Sequence, residues 1–154
     1  KAKIARGICV IVSYINRSAL VSFSAIQMYQ LVIDVDSYYQ FIPWCVSSKV
    51  LQFKDMEQVA VLEIAKGPIR RRIVTRNKVT HGESIRIELM EGPFQSFEGQ
   101  WTFMSLGLDS CRVTLTLNFD FTTAITRRMV APIFQDVTSR MVDEFCARAK
   151  FIYG

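Results

Sequence analysis

The chain has 154 residues, of which 50% are hydrophobic, 21% charged and 12% aromatic, and its formal net charge is +5. This length and composition are typical of one globular domain and exclude a disordered or low-complexity chain. No apolar run reaches the roughly 18 residues that a membrane span requires, so we expect a soluble, cytoplasmic protein. Peripheral contact with the inner membrane stays open, because a mildly basic protein suits anionic lipid as well as RNA.

Residues 7–15 are apolar with a basic start, like a weak signal peptide, but no small-residue cleavage site follows them. We expect residues 1–13 to be an N-terminal extension, either native or added for expression. Residues 14–154 then form a single domain.

A first strand is predicted over residues 15–23. Ser24 then begins a short helix with a capping box, because Gln27 stands three residues later. The segment 34–36 breaks this helix and begins a second one, which carries Tyr38, Tyr39 and Phe41 and ends before Pro43.

Alternating apolar and polar residues separated by turn residues predict six more strands. They cover residues 46–53, 58–65, 69–79, 84–90, 94–104 and 111–121. Short connections between them indicate an antiparallel meander.

Residues 123–154 predict one long amphipathic helix, capped by Thr122 or Thr123. We expect Pro132 to end its first turn or to kink it, and Asp136–Arg140 and Glu144–Arg148 to form i,i+4 pairs. Its apolar stripe consists of Phe134, Val137, Met141, Phe145, Ala149 and Ile152. Because this stripe needs a partner, the sequence predicts an α+β fold. A curved antiparallel sheet of about seven strands surrounds the C-terminal helix, and two short helices follow the first strand.

The sequence shows no evident set of catalytic or metal-binding residues. His81 is the only histidine and falls in a predicted polar turn, where a solvated side chain is the ordinary outcome. Cys45 is interpreted as a buried packing thiol, and the four cysteines show no metal-type spacing. We expect no catalytic residue, no metal ligand and no enzymatic activity. An enzyme would need an ionisable pair inside a cavity, which the sequence does not place.

Large apolar side chains from several elements converge on the predicted helix. If the sheet curls around the helix without touching it everywhere, they line a small-molecule cavity; the alternative is that they simply fill the core. The predicted wall residues are Phe41, Trp44, Phe94, Trp101, Phe103 and Phe119, with Phe134, Val137 and Met141 on the helix side.

A second candidate site is basic. Arg70, Arg72, Arg76 and Lys78 share one face of a predicted strand, and Arg86 on the next strand can join them. A solvated, salt-bridged outer face is the common outcome for such a pattern, and contact with RNA or phospholipid is the alternative. No aromatic residue interleaves with these side chains, which disfavours sequence-specific RNA recognition.

The sequence resembles the coenzyme-Q-binding protein and ribosome association toxin family, a branch of the START-like (polyketide cyclase-like) superfamily. The resemblance covers nearly the whole chain from about residue 15. It is carried by residues 17–21, 24, 25, 27–29, 31, 32, 34, 35, 38, 41, 43–46, 67–70, 91–94, 98–103 and 145–149.

This resemblance implies a helix-grip fold with an elongated cavity under the C-terminal helix. It implies ubiquinone, or another polyprenyl quinone or lipid, as a bound ligand that supports respiratory electron transport, and no catalytic cofactor. The alternative function implied by the family is binding to the large ribosomal subunit, which blocks subunit association. A third alternative that the resemblance implies is a START-like enzyme such as a cyclase. The native ligand, the coexistence of the two roles and the oligomeric state stay open.

Overall fold

The structure, a computed structural model, describes residues 2–5, 8–11 and 13–154, with side chains from residue 13 onward. Two helices, a 3-10 helix and nine strands follow one another along these residues. In chain order they are β1 (Ala2–Ala5), β2 (Ile8–Ile11), β3 (Ser13–Val21), α1 (Ala25–Ile33), the 3-10 helix (Val35–Gln40), β4 (Cys45–Lys54), β5 (Glu57–Lys66), β6 (Ile69–Thr80), β7 (Ser84–Glu91), β8 (Phe94–Gly107), β9 (Ser110–Phe121) and α2 (Ala124–Tyr153).

Seven of the strands form one antiparallel sheet in the order β3-β9-β8-β7-β6-β5-β4. The meander from β4 to β9 follows the chain, and β3 closes the sheet by pairing with β9. The predicted α+β helix-grip fold is confirmed: the sheet is curved, and α2 packs on its concave face. Strands β1 and β2 pair with each other in a separate two-stranded sheet. Residues 1, 6, 7 and 12 lie outside the described residues, so the predicted extension over 1–13 stays a prediction.

Each of the six predicted meander strands is present and runs at least one residue longer than predicted. The first strand is shifted toward the N-terminus, because its ladder with β9 begins at Ser13 and ends at Val21. The predicted capping box of α1 is confirmed. The Gln27 backbone N–H donates to Ser24 Oγ at 3.2 Å, and the Ser24 N–H donates to Gln27 Oε1 at 2.9 Å.

Helix α2 is the longest element and buries one stripe of its surface. Its cap is Thr123, whose Oγ1 accepts from the Thr126 backbone N–H at 3.0 Å. The buried residues are Val130, Phe134, Val137, Thr138, Val142, Phe145 and Ala149. Ile152, predicted to belong to this stripe, is 48% exposed because it lies at the far end of the helix, beyond the residues that pack on the sheet.

Of the two outcomes predicted for Pro132, the one in which it ends the first helical turn is wrong, and a kink at this residue stays a prediction. The helix begins at Ala124 and continues through Pro132 to Tyr153. Proline removes one backbone hydrogen bond, whereas packing of the whole apolar stripe on the sheet favours a continuous helix.

The surface pairs of α2 differ in part from the prediction. Asp136 and Arg140 pair at 3.4 Å as expected, and Glu144 pairs with Arg140 at 3.3 Å instead of with Arg148. Arg148 donates to Gln40 Oε1 at 2.7 Å, which connects α2 to the 3-10 helix.

Candidate ligand-binding cavity

A cavity of about 90 Å³ lies between the concave face of the sheet and α2. Alternation along β5, β6 and β7 turns every second side chain toward it. Its wall consists of Val32, Ile33, Val35, Tyr38, Ile42, Gln58, Ala60, Leu62, Ile64, Ile73, Thr75, Asn77, Ile85, Ile87, Phe97, Trp101, Leu115, Leu117, Phe134, Val137, Thr138 and Met141. Most of these side chains are aliphatic or aromatic, so the cavity is suited to an apolar ligand.

Helix α2 supplies four of the wall residues on consecutive turns. Phe134, Val137 and Thr138 are buried, and Met141 is half-buried. The Thr138 hydroxyl donates to the Phe134 carbonyl at 2.8 Å, which satisfies it within the helix. Met141 is unbranched and has three rotatable bonds, so it can change shape when the cavity is filled.

The polar groups of the cavity lie beside the C-terminal end of α1, whose last carbonyls have no partner within the helix. The Tyr38 hydroxyl donates to the Val32 carbonyl, and Gln58 Nε2 donates to the Ile33 carbonyl at 2.8 Å. Gln58 Oε1 then accepts from Asn77 Nδ2, also at 2.8 Å. Gln58 and Asn77 are direct neighbours in the β5–β6 ladder, so the two strands hold this chain of hydrogen bonds in place.

One atom at this end has no partner. Asn77 Oδ1 is buried and accepts no hydrogen bond from any described residue. Asn77 as a whole is only 6% exposed. An unsatisfied buried polar atom costs roughly 1–3 kcal/mol of stability, so its presence calls for an explanation.

The cavity wall is electrically neutral. None of the described residues in it carries a formal charge. Its one ionisable side chain is Tyr38, and burial raises the pKa of that phenol well above the ordinary value, with Asp34 and Cys45 adding to the effect. The wall therefore presents surfaces for binding and no group that exchanges a proton near neutral pH.

Of the nine predicted wall residues, four line the cavity: Trp101, Phe134, Val137 and Met141. Trp101 is 2% exposed and its ring stands edge-on to Phe145, with centroids 5.2 Å apart. Their placement on the wall agrees with the prediction, and their contact with a ligand stays a prediction.

Three predicted wall residues lie in the solid core. Phe94 and Phe119 pack against Phe134, with ring centroids 5.0 and 4.9 Å away, in a cluster of phenylalanines where the sheet meets the first half of α2. Phe103 packs edge-on against Tyr29 of α1 at 6.0 Å. These three do not border the cavity because helices α1 and α2 cover them directly and leave no space, and their contact with a ligand stays a prediction.

Phe41 and Trp44 lie outside the cavity as well. Phe41 packs edge-on against Phe145 at 5.1 Å, and the Arg148 guanidinium covers its ring at 4.9 Å. Trp44 is 37% exposed: its backbone has a φ of 62°, and its Nε1 donates to Asp136 Oδ2 at 2.9 Å. A left-handed backbone conformation directs the side chain away from the course of a strand, which residue type alone does not predict.

The polar wall residues Gln58 and Asn77 were missed at the sequence level. A signal for them exists, because Asn77 shares its strand face with Ile69 and Ile73, which point inward. A polar residue at an inward position on each of two neighbouring strands is unusual in a purely structural core.

The basic residues occupy the convex face of the sheet, opposite the cavity. Four of them pair with glutamates: Arg70 with Glu63 at 2.6 Å, Arg72 with Glu91 at 2.8 Å, Arg76 with Glu57 at 3.5 Å, and Lys78 with Glu88 at 3.4 Å. Arg86 lies next to them in a shallow polar depression shared with Glu88 and Glu98. The convex face is thus the salt-bridged outer face that its pattern favours, and its role in binding RNA or lipid stays a prediction.

The two residues weighed as catalytic candidates have ordinary surroundings. His81 is exposed in the β6–β7 turn, and its ring packs edge-on against Tyr29 with centroids 4.9 Å apart. Cys45 is buried, as predicted, and burial raises the pKa of its thiol to about 11. A thiol with such a pKa is a poor nucleophile at neutral pH.

Two further features of the described ranges bear on function. No group of three or more histidine, cysteine, aspartate or glutamate side chains in them comes together as a metal site. None of their helices combines the length and the apolar character needed to span a bilayer.

The chain is similar to proteins named as ribosome association toxins and to a protein named as coenzyme Q-binding. It is 40% identical to ribosome association toxin RatA of Pseudomonas aeruginosa over 142 residues, covering 92% of this chain and 99% of that protein. RatA of Escherichia coli K12 is 38% identical over 145 residues, with 94% and 92% covered. Coenzyme Q-binding protein COQ10 homolog B of Xenopus laevis is 33% identical over 144 residues, which is 90% of this chain and 59% of that protein.

Solved structures share the fold at low identity. Zhui aromatase/cyclase from Streptomyces sp. R1128 superposes with a TM-score of 0.79 at 15% identity, covering 91% of this chain and 94% of that one. A START superfamily protein from Mycobacterium smegmatis has a TM-score of 0.75 at 16% identity, with 90% and 98% covered. Residues 21–146 match the family described as polyketide cyclase / dehydrase and lipid transport, so the predicted resemblance is confirmed and the chain belongs to that family.

Proposed function

We propose that this protein is a non-enzymatic carrier that holds a polyprenyl quinone such as ubiquinone, or a lipid of similar chemistry, between the sheet and α2. The observation that supports it best is the uncharged, largely apolar cavity. The name of the Xenopus relative, a coenzyme Q-binding protein, points to the same ligand class.

The size of the cavity determines how such a ligand binds. Its volume of about 90 Å³ is below the roughly 300–1,000 Å³ of ordinary small-molecule pockets. The cavity must therefore widen, and the half-buried Met141 is the wall residue best able to move aside. Each buried CH₂ group contributes about 0.8 kcal/mol, so a few isoprene units offset the cost of association.

Filling the cavity tests this proposal. Ala60 is 2% exposed at the centre of β5 and lines the wall. The Ala60→Leu variant adds three carbons to the cavity, so we expect it to lose at least about tenfold of the co-purified quinone while keeping or raising its thermal stability. The measurement is organic extraction and mass spectrometry of protein purified from its native host.

The matched control is Ala147→Leu, because Ala147 lies on the exposed side of α2. This variant should retain quinone like the parent protein. Equal quinone content in a folded Ala60→Leu variant, or no quinone in the parent protein, would refute the carrier function.

A second candidate function is association with the large ribosomal subunit through the convex basic face. The observation that favours it is the ribosome-association name of relatives at 38% and 40% identity. Reversing Arg70, Arg72 and Arg76 to glutamate should remove the protein from ribosomal fractions in a low-salt sucrose gradient. Quinone content should not change, since this face lies on the other side of the sheet from the cavity.

A charge-swap variant controls for lost ion pairs. Arg72→Glu combined with Glu91→Arg keeps the net charge and the pair seen at 2.8 Å. It should sediment with ribosomes like the parent protein. Unchanged sedimentation of the triple reversal would rule out this face as the ribosome contact.

A further inference from the structure

An unpaired hydrogen-bond acceptor at the polar end of the cavity indicates which chemical group a ligand must offer. Asn77 lines the cavity on β6, is 6% exposed, and its Oδ1 accepts no hydrogen bond from the described residues. It stands at the end of a chain of hydrogen bonds that runs from the Ile33 carbonyl through Gln58.

The direction of this chain is set by its first member. A backbone carbonyl can only accept, so the Gln58 side chain must turn its NH₂ group toward Ile33. Gln58 Oε1 therefore faces Asn77, which must donate its own NH₂ group. The free atom at the end of the chain is consequently a carbonyl oxygen, and a flipped Asn77 amide would place two acceptors against each other.

Other hydroxyl groups of the wall leave this need unmet. The Tyr38 hydroxyl donates to the Val32 carbonyl, and the Thr138 hydroxyl donates to the Phe134 carbonyl. Their protons are thus in use. The Thr75 hydroxyl, the third in the wall, does not donate to Asn77 Oδ1 either, so this oxygen is the buried acceptor that a ligand can satisfy.

We propose that the cavity selects an apolar ligand that carries a hydroxyl group, and that Asn77 Oδ1 accepts the hydrogen bond from that hydroxyl. This inference rests on the proposed carrier function and specifies its ligand. A quinone ring offers only acceptors, whereas the reduced hydroquinone offers two hydroxyl donors. The site therefore binds the hydroquinone form in preference to the quinone.

Matched probes test the preference. The first pair is 4-decylphenol and its methyl ether, which differ in one donor and have the same tail. The second pair is decylubiquinol and decylubiquinone, kept under anaerobic conditions. For the unmodified protein we expect the hydroxyl form of each pair to bind about tenfold more tightly in a fluorescence or calorimetric titration, because it satisfies a buried acceptor.

The Asn77→Leu variant should lose this preference. Its affinity for the phenol falls about tenfold, and its affinity for the methyl ether stays the same or increases. Asn118→Leu is the control, because Asn118 lies on the convex face of β9 and should leave both affinities unchanged.

The outcomes separate the inference from the function it rests on. Equal binding of both members of each pair by the unmodified protein overturns the inference and leaves the carrier function standing. A preference that persists in Asn77→Leu also overturns it. Binding of none of the four probes would refute the carrier function itself. The comparison on the unmodified protein decides the matter even if the leucine variant does not fold.

Discussion

Gly99 shapes the cavity by having no side chain. It pairs with Leu117 in the β8–β9 ladder, and both residues are buried. A Cβ atom at position 99 would stand 2.3 Å from Leu117 Cδ2 and 3.2 Å from the Thr116 carbonyl oxygen. The Leu117 side chain thus lies over the bare backbone of Gly99 and forms part of the cavity wall from there.

We expect Gly99→Ala to lower the free energy of unfolding by about 1–3 kcal/mol, as overpacking of a dense core does. The added methyl group must push Leu117 toward the cavity, so the variant should also bind less quinone. Urea denaturation followed by circular dichroism measures the first effect, and quinone extraction the second.

Shortening the displaced side chain provides the control. Leu117→Val creates room beside position 99, so the double variant Gly99→Ala/Leu117→Val should lose less stability than the sum of the two single losses. Strict additivity would show that the methyl group and Leu117 do not compete for this space.

At the scale of elements, the alternation of residue types predicted the sheet well and the cavity poorly. In β9, apolar residues such as Val113 and Leu115 alternate with polar ones, and the ladder confirms the strand. The same alternation predicts that the aromatic residues are buried. Phe94 and Trp101 are both buried, yet only Trp101 borders the cavity. Which neighbour covers a buried ring depends on the packing of distant elements, and the pattern along one strand does not contain that information.

Helix α2 shows the same limit. Its length, its cap at Thr122 or Thr123 and most of its apolar stripe were predicted from local pattern. Pro132 was predicted to end the first turn or to kink the helix, and the helix continues through this residue. The local preference of proline is overridden by contacts with a sheet that a window of sequence does not include. Trp44 lies outside the cavity for a different reason, because its positive φ is uncommon for a residue other than glycine.

At the scale of the whole molecule, the positive charge is less concentrated than the net charge of +5 indicates. Three of the nineteen basic residues, Lys1, Lys3 and Arg6, precede residue 13. On the convex face, four basic side chains are matched by four glutamates. Exposed pairs of this kind contribute only about 0–1 kcal/mol each. A ribosome that binds this face must therefore compete with the glutamates that already pair with its basic side chains.

Buried and half-buried thiols and a buried phenol make the stability of the fold sensitive to high pH. Burial raises the pKa of the Cys45 thiol to about 11 and also raises the pKa of Cys111, Cys146 and Tyr38 above their ordinary values. In the unfolded chain the thiols ionise near their ordinary pKa of 9.0. Between the two pKa values the folded state retains protons that the unfolded state has lost, so stability falls as pH rises above about 9.

We expect the free energy of unfolding to drop by up to roughly 1.4 kcal/mol per pH unit for Cys45 alone as pH rises from about 9 to about 11. Urea denaturation at about pH 8 and about pH 10.5 measures the difference. The Cys45→Ala variant should show a shallower decline than the parent protein. Equal stability at the two pH values would contradict the raised pKa values.

The pairing of β3 with β9 also sets the order in which the chain folds. Strands β4 to β9 can pair with their neighbours in sequence as soon as each hairpin is complete. Strand β3 must wait, because its ladder joins Ser13 to Phe119 across about two thirds of the chain. Closing so long a loop is slow, and during synthesis β3 remains without its partner until β9 has left the ribosome. Truncation before β9 therefore leaves the beginning of the domain with an unpaired strand, and the completed sheet depends on residues 110–121.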